Sequence, residues 1–221
     1  MQRQALIFGA TGAVGQELLK LCLKGNRYSC VTVIARRSAP LAHEKLQWIE
    51  AGFDVLDSLK PASGMTDGDA FCCLGTTMKA AGSEANFRRV DYDFVLNAAR
   101  FAKKNGARQF SMVSALGANS ESNGIYNRTK GEVEAAVIAE NFPSLRIFRP
   151  SLLKGKRDEF RLAEEIGNWV SFLMTPLFAL GLRKYEPVEI SKLARALYVS
   201  ADDDKANGTH HIYESDEIQS Y

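Results

Sequence analysis

Short apolar runs alternate along this chain with longer segments whose apolar residues recur every three or four positions. Ala5-Leu-Ile-Phe8 is one such run, followed at once by a turn signal, and predicts a buried strand. Behind it Val14, Leu18, Leu21 and Cys22 share one face of a helix predicted over residues 15–23. Val31–Ala35 reads as a β-branched strand and Leu46–Ile49 as a weaker one. Ala70–Leu74 is a further strand, bounded by Asp69 and Gly75. The apolar positions Val90, Phe94, Val95, Ala98, Ala99 and Ala102 predict one helix over residues 87–104, ending near Asn105-Gly106. A strand at Gln109–Val113, a helix over 126–140, a strand at Leu145–Phe148 closed by Pro150, and a last strand at Thr209–Tyr213 complete the series.

Strands alternating with helices predict an α/β fold: a parallel, doubly wound sheet with its ligand crevice at the carboxyl ends of the strands. A length of 221 residues suits a single domain over 1–221, with residues 151–195 as a small C-terminal cap on the substrate side. A net charge of +2 argues against a nucleic-acid partner. The four cysteines form no Cys-x-x-Cys and read as reduced, buried thiols of a cytoplasmic protein. Residues 166–182 are strongly apolar but fall short of the roughly 20 residues of a membrane span and contain Pro176. No membrane span is expected there; a cap over a pocket, ordinary core or a contact surface remain open.

The turn after the first strand is Gly9-Ala-Thr-Gly12-Ala-Val-Gly15. Gly9 turns the chain sharply, Gly12 leaves room for a pyrophosphate against the backbone, and Gly15 lets the helix pack closely. The helix start offers N–H groups and a positive dipole end to phosphates, with Thr11 and Val14 inside the same turn. Where an NAD site usually places a carboxylate, this chain has Arg36 and Arg37, which suit a ribose 2′-phosphate. NADP(H) is therefore the expected cofactor. Leu74, Gly75 and Thr76 follow the fourth strand, where the backbone can pass close to the cofactor's ribose.

Tyr126 and Lys130 are four residues apart and so share a helix face. A free phenol titrates near 10, and a neighbouring ammonium lowers that value toward useful acid–base chemistry. Ser114, at the end of the fifth strand, is placed to hydrogen-bond a substrate oxygen. The three form the expected catalytic set, with Lys130 also reaching the cofactor's ribose. His43, His210 and His211 show no metal-ligand spacing, and no metal site is assigned.

Together these features resemble the short-chain dehydrogenase/reductase superfamily. Phe71–Thr77, Val90–Leu96, Val113–Ala118, Tyr126–Glu132 and Phe148–Ser151 resemble the atypical, Tat-interacting-protein-like oxidoreductase branch, across essentially the whole chain. The resemblance implies a Rossmann-type fold, NADP(H) binding, Pro150, Ser151 and Leu152 near the nicotinamide, and an unidentified small carbonyl or alcohol substrate. The chain departs from the family pattern at Ala115, where many relatives carry a second serine. Asn97 is the nearest candidate for the tetrad asparagine. Animal members of the branch look like cofactor-binding regulators, so a protein without turnover is the alternative. A sugar-nucleotide epimerase is disfavoured by the short C-terminal part. The two long helices leave a homodimer open.

Overall fold

The computed structural model describes residues 3–59, 67–155 and 183–221. Seven parallel strands form one sheet in the order β3-β2-β1-β4-β5-β6-β9. They are β1 (Arg3–Phe8), β2 (Tyr28–Ala35), β3 (Leu46–Glu50), β4 (Asp69–Cys72), β5 (Gln109–Val113), β6 (Ser144–Arg149) and β9 (His210–Glu214). Helices α1 (Ala13–Lys24) and α6 (Ile190–Ser200) cover one face. Helices α4 (Phe94–Lys104) and α5 (Ile125–Ala139) cover the other. This is the expected Rossmann-type doubly wound sheet. Its order reverses between β1 and β4, the switch point at which such sheets bind ligands.

Burial on both faces explains why the strands read as continuous apolar runs rather than alternating ones. Ala5 and Ile7 of β1 pack toward α1 and α6, while Leu6 and Phe8 pack toward α4 and α5, all fully buried. The adjacent Cys72 and Cys73 divide between the two cores in the same way, and all four cysteines are free thiols.

One prediction needs refining. Residues 87–104 are helical throughout, but a π-helical turn interrupts the α-helix. Helix α3 (Glu84–Arg88) starts at Ser83, whose hydroxyl accepts from the Asn86 N–H at 3.2 Å, and a π-helical turn at Arg89–Asp93 then leads into α4. The wider turn rotates Asp91 into the interior, where it is fully buried. Helix α6 was not predicted. Its residues Ile190, Leu193, Ala194 and Leu197 pack into the core, with α1 as the chief partner. Ahead of it, β7 (Leu153–Lys154) and β8 (Val188–Glu189) pair in a small parallel sheet. The apolar stretch 166–182 and most of the expected cap lie outside the described residues. Among the described residues no helix is long and apolar enough to cross a membrane.

At the amino end of the sheet, Asp69 is fully buried among partners. It pairs with Arg3 at 3.2 Å and Arg108 at 2.9 Å, and accepts from the Tyr28 hydroxyl at 2.8 Å. Burial outweighs Arg3 and Tyr28 and pushes its carboxyl up to about 6.

Candidate active site

A crevice of about 200 Å³ opens beyond the carboxyl ends of β1, β2 and β4. Gly9, Thr11, Gly12, Arg36, Arg37, Leu74 and Gly75, all foreseen from sequence, line it. Gly9 has φ +81°, and a Cβ there would lie 2.6 Å from the Cys73 carbonyl oxygen, so no other residue fits between β1 and β4. A Cβ on Gly15 would come within 2.2 Å of the Gly9 carbonyl oxygen, so the helix start presses directly on the turn. A Cβ on Gly12 would meet nothing nearer than that same oxygen at 3.4 Å, which leaves its outer side open. Gly12 caps α1 without a side chain, and the first-turn N–H groups find no acceptor within the helix. An open glycine at a helix start, backed by two glycines that admit no side chain, fits a dinucleotide pyrophosphate.

Arg36 and Arg37 are exposed at the rim, and among the described residues neither forms an ion pair. The Arg37 carbonyl accepts from the Trp48 indole at 2.8 Å, which ties the backbone of this turn to β3. Phe53, Val90 and Phe94 add an apolar wall that sequence reading missed. Cys73 also lines the crevice, but burial, reinforced by Cys72 and Cys22, holds its thiol far above the usual range and makes it a poor nucleophile.

Helix α5 carries Tyr126, Lys130 and Glu134 at four-residue intervals, one stripe on one face. Tyr126 keeps 39% exposure and packs its ring on Phe87, with centroids 5.5 Å apart. Lys130 is buried, and its ammonium lies 2.7 Å from Asp91 Oδ1. Asp91 Oδ2 accepts the backbone N–H of Thr76 at 2.8 Å. Burial works against the ammonium, but Asp91 and then Tyr126 outweigh it, and Lys130 stays protonated above the usual lysine range. The Tyr126 phenol is not lowered as its spacing from Lys130 suggested. Although the residue is 39% exposed, desolvation is the largest influence and raises it, Lys130 opposes the rise and Asp91 reinforces it.

Ser114, expected to be free for substrate, donates its hydroxyl hydrogen to Glu134 Oε1. Glu134 is in turn held by Arg149 Nε at 3.1 Å and Nη2 at 2.5 Å, and Arg149 reaches Glu214 at 3.3 Å. The serine hydrogen is therefore committed, and only its lone pairs remain for a ligand. Asn97 does not join Tyr126 and Lys130 through any hydrogen bond; it donates to the Phe53 carbonyl at 3.1 Å. Thr77 caps α2 (Met78–Ala81) by accepting from the Ala80 N–H at 3.1 Å. Val14 is packed in the core beneath the glycine turn. Ser151 donates its hydroxyl to the Glu186 carbonyl and its N–H to Ser215 Oγ, and the Pro150 and Leu152 carbonyls accept from Leu116 and Val188. Asp91 and Glu134, the two residues that anchor the site, were missed. Among the described residues no group of three His, Cys, Asp or Glu side chains is arranged to hold a metal ion.

A doubly wound parallel sheet with a glycine cradle at its switch point defines a dinucleotide-binding protein. The chain belongs to the NAD(P)H-binding family, whose profile matches residues 9–153. It is 40% identical over 165 residues to Protein HTATIP2 of Rattus norvegicus, covering 73% of this chain and 67% of that one. It is 35% identical over 191 residues to Protein FMP52-2, mitochondrial, of Scheffersomyces stipitis, covering 80% and 82%. Among solved structures it resembles the Bordetella bronchiseptica enzyme WbmH in complex with NAD+, with TM-score 0.70 at 15% identity over 97% of this chain and 76% of that one. These relatives place the chain in the atypical short-chain dehydrogenase/reductase group that its motifs indicated.

Proposed function

We propose that this protein is an NADP(H)-dependent oxidoreductase acting on a small carbonyl or alcohol, with Tyr126 as the proton-transferring residue. The observation that carries this reading is the shared face of Tyr126 and Lys130, with Lys130 and Asp91 packed under Gly75 at the edge of the nucleotide crevice. The glycine turn would hold the pyrophosphate, Arg36 and Arg37 a 2′-phosphate, and Lys130 the nicotinamide ribose. The bound nucleotide supplies a hydride to a carbonyl carbon. Tyr126 gives its hydroxyl proton to the carbonyl oxygen, so the carbonyl becomes an alcohol; oxidation runs in reverse. Ser114 orients the substrate through its lone pairs. As expected from sequence, the part of the 151–195 stretch ahead of α6 would complete the substrate side. Free thiols fit a reducing compartment, either the expected cytoplasm or, by the names of the yeast relatives, a mitochondrion.

The test is a panel of small aldehydes and ketones with NADPH oxidation followed by absorbance. Turnover in the wild type, lost at least a hundredfold in Tyr126→Phe while NADPH binding survives, is the expected result. NADPH binding with no turnover on any panel member would favour a cofactor-binding regulatory protein.

A further inference from the structure

We propose that Asp91 is the positioning residue of the reacting centre: it locks the Lys130 ammonium in a buried neutral pair, so that Tyr126 enters the reaction as a proton donor. The proposal rests on the reading of Tyr126 and Lys130 as that centre and adds a direction to it, reduction of a carbonyl.

Four observations converge on Asp91. It is fully buried, although a carboxylate is costly to bury without partners. It reaches the interior because the chain makes a π-helical turn there, a local departure that α4 alone does not require. Its two oxygens are divided between Lys130 Nζ at 2.7 Å and the Thr76 N–H at 2.8 Å, which joins the turn after β4 to helix α5. Gly75 lies over the pair: a Cβ there would sit in ordinary van der Waals contact with it, 3.4 Å from Asp91 Oδ1 and 3.8 Å from Lys130 Nζ. The segment that borders the nucleotide crevice is thus built around this ion pair.

The chemical consequence follows from charge. An unpaired ammonium beside a phenol favours the phenolate, which accepts protons and serves oxidation. An ammonium whose charge is cancelled by Asp91 leaves the phenol protonated, ready to donate. The charged and titratable groups around Tyr126 are Lys130 on its own helix, Asp91 on the π-helical turn and the Arg88–Glu132 pair between α3 and α5, with Cys72 of β4 beside Lys130. Of these, Lys130 and Asp91 are the two that act on the phenol directly.

The experiment titrates Tyr126 without cofactor or substrate. Protein carrying tyrosine labelled with 13C at Cζ is followed by NMR, with the Tyr126 resonance assigned by Tyr126→Phe and folding checked by circular dichroism. Asp91→Asn, which keeps the shape and the Thr76 acceptor but removes the charge, is expected to lower the Tyr126 midpoint by about one unit, a tenfold change in the phenolate-to-phenol ratio. Lys130→Gln strands the carboxylate and is expected to raise the midpoint. Opposed shifts support the proposal, because a merely structural role would not separate the two variants by sign. An unmoved or raised midpoint in Asp91→Asn overturns it. Should that variant not fold, Asp91→Ala is titrated in its place: a lowered midpoint supports the proposal, and an unmoved or raised one overturns it. A parallel NADPH titration of the wild type keeps the two readings apart. Opposed shifts in a protein that binds no NADPH would support the ion pair while sinking the oxidoreductase reading.

Discussion

Replacing Arg36 and Arg37 together by alanine tests the choice of cofactor. Both guanidinium groups sit at the rim of the crevice and are exposed, and among the described residues no acidic side chain claims them. Removing them therefore breaks no internal pair, and the Trp48 bond to the Arg37 carbonyl, a backbone contact, survives the substitution. A hydrogen bond to a charged group contributes about 1.5–3 kcal/mol, and exposure places these at the low end. Two such contacts to a 2′-phosphate amount to about 3 kcal/mol, or about a hundredfold in the dissociation constant. NADH has a hydroxyl at that position, so its binding should change less than about threefold. Fluorescence titration of wild type and variant with NADPH and NADH, at low and high salt, reads this directly. The NADPH advantage of the wild type should shrink with salt as screening predicts. Equal weakening of both nucleotides, or an unchanged ratio between them, would refute the assignment of these arginines to a 2′-phosphate.

Three further substitutions separate the roles of the glycines and of the buried carboxylate at the far end of the sheet. Gly15→Ala places a methyl 2.2 Å from the Gly9 carbonyl oxygen and 2.8 Å from Ala10 Cα, backbone on both counts, and should destabilise the fold by about 1–3 kcal/mol, seen as a lower Tm. Gly12→Ala meets nothing closer than 3.4 Å, so it should leave Tm nearly unchanged yet weaken NADPH binding at least about tenfold; the reverse ranking would contradict the cradle described above. Asp69, raised from 3.8 to about 6, holds a proton in the folded chain that the unfolded chain has already released. The stability this contributes is complete below pH about 4 and is lost as pH rises through about 6, up to about 3 kcal/mol, whereas Asp69→Asn should show no such loss. Urea unfolding of both proteins between pH 4.5 and 7.5 checks it, and a pH-independent difference between them would count against the shift.

The sheet was legible because its strands are buried on both faces. Ala5-Leu-Ile-Phe8 and Val31–Ala35 could be read without knowing their neighbours. The glycine turn was legible because its glycine spacing lies within seven residues, and the Gly12 and Gly15 clearances are set inside the turn, while that of Gly9 is set by the Cys73 backbone just after β4. Glu134 carried a signal, standing four residues after Lys130 on the same stripe, but its partner Ser114 lies twenty residues away across the sheet. Asp91 also carried one, a carboxylate on the apolar face four residues past Phe87. The helical period of residues 87–104 concealed the π-helical turn that carries it inward, because Val90 and Phe94 are spaced as in an ordinary helix. Phe53 gave no signal at all, since it reaches the crevice from an irregular segment after β3. Local steric needs are written locally, while pairings made by the fold are not.

The buried charges of this chain fall into two groups with different uses. A buried ion pair is a weak source of stability, because desolvation consumes most of the Coulomb attraction, and well-packed apolar residues fill the same space at less cost. At the amino end of the sheet, Asp69 gathers Arg3, Arg108 and Tyr28 and so holds β1, β2 and β4 to the segment before β5, a structural use. The Lys130–Asp91 pair also links elements, the π-helical turn, the turn after β4 and helix α5, but it does so beside Tyr126 at the edge of the crevice. What that ion pair adds is a fixed position and a cancelled charge beside Tyr126. Glu134 does the complementary thing to Ser114 by taking its only hydrogen. On the proposed reading, with the Ser114 hydrogen held by Glu134 and the Lys130 charge balanced by Asp91, Tyr126 is the proton donor to the substrate, while the ammonium keeps its own protons. On that reading, the two carboxylates that sequence reading missed set the charge beside Tyr126 and hold the hydrogen of Ser114.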